Sequence, residues 1–320
     1  MSLRWLPADL LTGPFTLDVA RGAGVPQWRL RDAALHIPTR SVRSAAPVED
    51  VFARATAFRA ALPDDIAFSH VTAAQLWGLA LPDVVAAQTE LDVLRVTHRN
   101  RIRRTGCNGH RGLEARGTAI RLGLPLTGLV DTWVDLGEVL DRGLFRDDLV
   151  VVGDEVATRL AGPPDPGSDL PDWSIGPVLL RQALSRRVRP RGGVVLGSAL
   201  ELVRAPVRSP METRARLMFV RAGFPEPMVN RDVHGRDGQW LLEGDLVWEA
   251  QRVVGEYQGR DHASIRQRSY DADRRAVADD EDWTVLEIYA ADVYQPGRRI
   301  ACLRRFARAL DLDPAGLEIR

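Results

Sequence analysis

Lysine is absent from this chain, so all 43 residues counted as Lys or Arg are arginines. No lysine can therefore serve as nucleophile, Schiff base or charge stabiliser; the bias itself fits a GC-rich genome. Cysteine is nearly absent: Cys107 and Cys302 provide neither a disulfide framework nor zinc-ligand spacing. Net charge is absent too, with 43 basic residues against 43 acidic ones, so no global field draws the molecule to nucleic acid and any such binding must come from local clusters. No apolar run reaches the length that spans a bilayer. The opening MSLRWLPADLL lacks the basic and long apolar regions of a signal peptide. The expectation is a cytoplasmic protein with no membrane partner.

What is present is enough chain for two domains, 320 residues with 45% hydrophobic content. Apolar spacing predicts a strand over Gln27–Leu35 and a helix over Glu49–Leu62. SHVTAAQLWGL, residues 69–79, reads as a helix introduced by Ser69 or Thr72 and closed near Gly78. Leu91–Val96 and Gly117–Leu122 read as strands on either side of an arginine- and glycine-rich stretch. Helical patterns follow up to Leu140, over Arg146–Leu160 and over Gly176–Arg187. The Pro-, Gly- and Asp-rich Ala161–Asp172 is a loop. The basic stretch Arg186–Gly193 leads to a further helix over Ser198–Val203. Trp77 and Trp133 sit in apolar helical patterns and fit core packing better than base stacking.

A boundary near Pro206 divides the chain into an α-rich region with a few strands, 1–205, and a second domain, 206–320. In the latter, Ser209 is a good N-cap for a helix stopping at Gly223. Strands over Val229–Val233, Leu241–Trp248 and Arg252–Gln258 follow, then a helix over Arg266–Ala278, a strand over Trp283–Ala290 and an amphipathic helix over Arg298–Leu310. This order predicts an α/β fold with a mixed sheet flanked by helices.

The most informative segment is EGDLVWEAQRVVGEYQGRDH, Glu243–His262. Asp245 and Glu256 lie symmetrically about Ala250 and Gln251, so a two-residue hairpin loop would set them opposite each other. Opposed Cβ atoms sit roughly 5 Å apart, where two like charges repel by about 3 kcal/mol at an effective dielectric near 20. A cation is the simplest remedy. Alternation points Gln258 to the same face.

Glu212 in SPMETR, Asp245 in EGDLVW, and Glu256 with Gln258 in GEYQGRDH resemble the PD-(D/E)XK nuclease pattern, and more closely the very-short-patch-repair-like endonuclease domains common in actinobacteria. The likeness covers about residues 206–310. It implies a restriction-endonuclease-like fold, Mg²⁺ (or Mn²⁺) held by Asp245 and Glu256 with Glu212 as a helper carboxylate, and hydrolysis of DNA phosphodiester bonds. Gln258 stands where that family most often has lysine; it can orient water but brings no charge. His262 would act as general acid or orient a metal-bound water. The stretch Asp271–Arg275 matches an Asp-Arg pair of similar domains, with Asp271 and Arg274 the better fit. Upstream, LWGLALP, LDVLRVTHRN and LVDTWVDL resemble the antitoxin-type N-terminal region of type IV abortive-infection systems.

Each residue also has a plainer explanation. Glu212 alone is a first-turn glutamate favoured by the helix dipole, His262 alone a capping residue, and Asp271–Arg275 a set of helix charge pairs. Only Asp245, a strand carboxylate beside Leu246 and Val247, is unfavourable unless paired. Candidate phosphate contacts are Arg260 and Arg274 beside the hairpin, Arg101 and Arg103 within His98–Arg104, and a second cluster at Arg186–Arg191; ordinary solvated loops explain these equally well. The alternative to an endonuclease is a catalytically silent DNA-binding regulator or antitoxin-like protein. A homodimer is left open, since cutting both strands normally takes two active sites.

Overall fold

The structure is a computed structural model and describes residues 3, 5–163, 171–259 and 280–319. Contacts sort the chain into two units, Met1–Phe145 with Leu180–Gly197, and Arg146–Leu179 with Ser198–Arg320. This differs from the division at 205/206 by assigning Arg146–Leu179 and residues 198–205 to the C-terminal unit, and two of the three crossings of the chain fall inside helices.

The first unit comprises α1 (Ala8–Leu11), β1 (Phe15–Thr16), α2 (Leu17–Gly22), β2 (Val42–Arg43), α3 (Val51–Arg59), β3 (Ile66–Phe68), α4 (His70–Trp77), α5 (Asp83–Ala86), β4 (Leu91–Arg95), β5 (Cys107–Arg111), β6 (Thr118–Arg121), β7 (Leu124–Thr127) and α6 (Leu129–Leu136). The strand expected over Gln27–Leu35 is instead a pair of turns with a 3-10 segment at Arg29–Arg31. Pro26 presets the turn, and its carbonyl accepts from Arg29 N at 3.0 Å, while Leu30 and Leu35 bury against Leu6, Leu10 and Phe15. The five-stranded sheet has the order β5-β4-β3-β7-β6 and mixes parallel and antiparallel pairs. Its core gathers Phe58, Phe68, Leu91, Val93 and Leu126. Asp50 caps α3 by accepting from Ala53 N at 2.7 Å, and Gly78 ends α4 in the left-handed region at φ 70°. Trp133 is fully buried, as its apolar pattern predicts.

The second unit begins with α7 (Arg146–Arg159). The chain crosses between units within α8 (Ile175–Ser185) and α9 (Gly193–Leu200), the latter five residues earlier than the helix expected from Ser198. Then come α10 (Pro210–Arg221), β8 (Met228–His234), β9 (Trp240–Trp248), β10 (Val253–Gln258), β11 (Thr284–Tyr289), α11 (Ala290–Tyr294) and α12 (Pro296–Ala309). The helix expected over Arg266–Ala278 lies outside the described residues. The sheet has the order β11-β10-β9-β8, with β10 and β11 parallel and the other neighbours antiparallel, so the fold is α/β with a mixed sheet and flanking helices.

One face of this sheet packs on α10 and α12 through Phe219, Trp248 and Phe306, whose ring centroids lie 4.6–5.6 Å apart. Gly255 permits the approach of α12: a Cβ there would stand 2.9 Å from Ile288 Cδ1 and 3.2 Å from Phe306 Cε1. The other face carries Val233, Val247, Val254 and Trp283. Beneath α10, Arg216 is fully buried. It donates to Asp154 Oδ2 on α7 at 3.0 Å, Leu202 O at 2.7 Å and Glu226 Oε1 at 2.9 Å, while Asp154 also accepts from Thr213 Oγ1 at 2.7 Å and Arg204 N at 2.7 Å.

Candidate functional site

Trp248 pairs with Val253, Val247 with Val254 and Leu246 with Gly255, so the hairpin is symmetric about Ala250 and Gln251 as expected. The loop, however, is four residues and not two: Glu249–Gln251 form a 3-10 turn and Arg252 is left-handed at φ 53°. A two-residue turn of the hairpin type needs positive φ at one or both central residues, which Ala and Gln supply poorly; the longer turn keeps the centre and moves the left-handed residue to Arg252.

The next rung of this ladder is Asp245 with Glu256. There the Asp245 carboxylate intrudes on the backbone pairing, its Oδ2 accepting from Tyr257 N at 2.7 Å. On the far side of β10, Glu256 is in register with Glu287 of β11. On the far side of β9, Val229 pairs with Leu246 and Arg231 with Gly244, which puts Asn230 beside Asp245; Asn230 itself is left-handed at φ 46° and departs from the ladder. Asn230, Asp245, Glu256 and Glu287 thus form one row across all four strands. Acidic groups in such a row, with Cβ spacings of roughly 5 Å, repel one another.

Glu212 joins from the helix side. Ser209 Oγ caps α10 by accepting from Glu212 N at 3.2 Å, which fixes the first turn, and Glu212 Oε2 then accepts from Arg208 N at 3.0 Å and Asn230 Nδ2 at 2.8 Å. Asn230 Nδ2 also donates to Pro206 O at 3.2 Å, and its Oδ1 is buried with no hydrogen-bond partner. Burial, and next the charge of Glu212, push the Asp245 carboxyl up to about 7; Glu256 adds to this, and the Tyr257 amide and Arg208 only partly oppose it. The crowding inferred from the sequence is therefore present, but Glu212 contributes more of it than Glu256.

Among the described residues, Glu212, Asp245 and Glu256 do not form a set whose ligand oxygens all lie within 4.8 Å of one another. One small ion could be held directly by Asp245 and Glu256, with Glu212 acting through Asn230 or a water. Gln258, half-buried at the end of β10, turns its amide toward Glu256 Oε2 at 3.5 Å. His262, Arg260, Arg274 and the Asp271–Arg275 stretch lie outside the described residues. A cleft of about 490 Å³ opens beside the row, lined by Arg208, Asn230, Arg231, Glu243 and Trp283 among others, with the Arg208 guanidinium paired to Glu243.

Arg101 and Arg103 belong to the first unit and are exposed, whereas Arg104 is tied to Thr39 Oγ1 at 3.1 Å and Arg40 O at 2.8 Å. In the second arginine cluster, Arg187 is turned inward onto Asp131 at 2.9 Å and Asp135 at 3.1 Å, which removes it as a phosphate contact. Asn230 and Glu287 were not picked out from the sequence. Glu287 carries a readable signal, an acid inside the apolar run WTVLEIY, while Asn230 acquires its place only through register.

Fold and site together define a mixed α/β protein with an acidic row across the sheet of its second unit. Two uncharacterized proteins of Mycobacterium tuberculosis, from strains CDC 1551 / Oshkosh and ATCC 25618 / H37Rv, are each 31% identical to this chain over 135 residues, which is 41% of this chain. The match spans 48% of each of those proteins, about half their length. Neither a family model nor a solved structure matches the chain.

Proposed function

We propose that this protein is a metal-dependent DNA endonuclease of the very-short-patch-repair-like kind, with the acidic row of its second unit as the active site. The observation that carries this reading is Asp245, a carboxyl raised to about 7 between Glu212 and Glu256 on a face that also leaves the buried Asn230 Oδ1 unpaired. The carboxylates are acceptors, and a hard cation held by Asp245 and Glu256 would offset their repulsion. Mg²⁺ or Mn²⁺, when bound, supplies charge stabilisation for a phosphodiester transition state and makes a coordinated water a better nucleophile. Asp245 and Glu256 would hold it. Glu212 and Asn230 fix the position of Asp245's surroundings, and Gln258 is placed to accept from or donate to the attacking water. Arg208, its side chain 63% exposed at the rim of the cleft, is a suitable phosphate contact. The compartment consistent with this activity is the cytoplasm; among the described residues no helix is long and apolar enough to cross a membrane.

The test is cleavage of plasmid DNA by purified protein with Mg²⁺ or Mn²⁺. The wild type should nick or cut, and Asp245→Ala and Glu256→Ala should each reduce cleavage to background. Equal cleavage by all three would expose a contaminating nuclease. A second reading, a DNA-binding regulator without catalysis, is favoured by one feature: Gln258 brings no positive charge to the row, and the chain has no lysine to replace it. Salt-dependent DNA binding without metal and without product would select it.

A further inference from the structure

The first unit buries a second polar cluster, independent of the acidic row. His70 opens α4 with a left-handed backbone, φ 49°, and its side chain has no exposed surface. Its Nδ1 shares a 2.8 Å hydrogen bond with Ser69 Oγ, which leaves Nε2 buried, without a hydrogen-bond partner, 3.6 Å from Glu138 Oε2. Asp135 on α6 is also fully buried. Its Oδ1 accepts from Arg116 Nε at 3.0 Å and Arg187 Nη2 at 3.1 Å, while its Oδ2 is buried and unpaired. Glu138 gives Oε1 to Arg116 Nη2 at 2.9 Å and keeps Oε2 toward His70. One ligand atom from each of His70, Asp135 and Glu138 lies within 4.8 Å of the others.

His70 and Asp135 therefore each commit one polar atom to a protein partner and leave another without a hydrogen bond, while Glu138 Oε2 faces His70 Nε2 at 3.6 Å. Two unpaired buried polar atoms in one cluster call for a shared occupant. His70 also groups with Asp92 and His110, but there the Asp92 oxygens already take His110 Nε2 at 2.8 Å and Arg142 Nη1 at 2.9 Å. The two imidazole rings stack at 3.9 Å and 23°, which prevents both from aiming a nitrogen at one ion.

We propose that His70 Nε2, Asp135 and Glu138 bind one divalent transition-metal ion in the first unit. One imidazole and two carboxylates suit zinc, manganese or cobalt. Ser69, Arg116 and Arg187 hold the ligands from behind, in the manner of groups that orient metal ligands, and Glu138, 26% exposed, provides the way in.

The experiment uses the full chain stripped with a chelator and then titrated with Zn²⁺ or Mn²⁺ by calorimetry, with Co²⁺ absorption as the spectroscopic readout. The wild type and the double variant Asp245→Ala/Glu256→Ala should both take up one ion per chain in the first unit. His70→Ala and Glu138→Gln, each checked for folding by circular dichroism, should weaken that uptake about tenfold or more, and His70→Ala alone should also abolish the imidazole signature of bound Co²⁺. Absence of saturable uptake by the wild type would overturn the proposal. So would uptake that survives in folded Glu138→Gln and His70→Ala, or that disappears in the double variant.

Discussion

Asp245 is a residue whose charge state couples stability to pH. Its folded carboxyl titrates near 7, raised chiefly by burial and by Glu212, against 3.8 for the free group. The folded state therefore keeps a proton that the unfolded state releases between those values. Stability falls as pH rises across that window, and the penalty is complete above it. Asp245→Asn removes the penalty, so urea melts should show the variant more stable than wild type at pH 8 by up to about 4 kcal/mol, with a smaller gain at pH 5. A bound cation would lower the same carboxyl, so adding Mg²⁺ should stabilise the wild type at pH 8 and leave Asp245→Asn nearly unchanged. The sequence revealed the hairpin acids because symmetry about a turn survives a change of loop length. It did not reveal that Glu212 weighs more on Asp245 than Glu256 does, because that depends on how α10 enters the sheet.

At the scale of elements, the site is held by features remote from its chemistry. Ser209 caps the helix that carries Glu212, so Ser209→Ala should cost about 1 kcal/mol of stability and loosen Glu212 from Asn230. The same variant should cleave DNA more slowly if the endonuclease reading holds. Gly255→Ala meets Ile288 and Phe306 at 2.9–3.3 Å, on the face opposite the acids. It should destabilise by about 1–3 kcal/mol through overpacking, readable as a lower urea midpoint at unchanged m-value. Of the elements, the sheet of the second unit was the most legible, since its strands alternate or run apolar and end at turn residues. The strands β3, β5 and β7 were not expected. Two of them are only three or four residues long, and β5, CNGHR, is polar and half-buried, so neither periodicity nor propensity marks it. Its Gly109 lies where a Cβ would meet the Ile102 carbonyl oxygen at 2.2 Å, a close approach visible only once the chain is folded. The cluster around His70 was illegible for a similar reason: Asp135 and Glu138 lie one helical turn apart, but His70 is more than sixty residues away and reaches them through the packing of α4 on α6.

For the whole molecule, equal numbers of acidic and basic residues mean that colloidal repulsion is weakest near neutral pH. Solubility should pass through a minimum there and rise on either side, measured as the precipitation onset across a pH series at fixed salt. If the endonuclease reading holds, DNA affinity should depend on a few local arginines and so show a shallow salt slope. The division expected near Pro206 coincides with none of the boundaries between the two units, which interleave along the chain. The assignment of α7 to the C-terminal unit was not readable from the sequence, because what binds it there is Arg216, whose partner Asp154 precedes it by more than sixty residues.

That buried guanidinium sets a rule for dissecting the protein. Starting a fragment at residue 206 would remove Asp154 and Leu202 together and leave the Arg216 guanidinium with Glu226 as its remaining partner, a loss of up to about 3–5 kcal/mol. Expression trials should recover residues 146–320 in soluble form and find 206–320 in inclusion bodies, so the smallest portable piece that carries the acidic row starts well before residue 206.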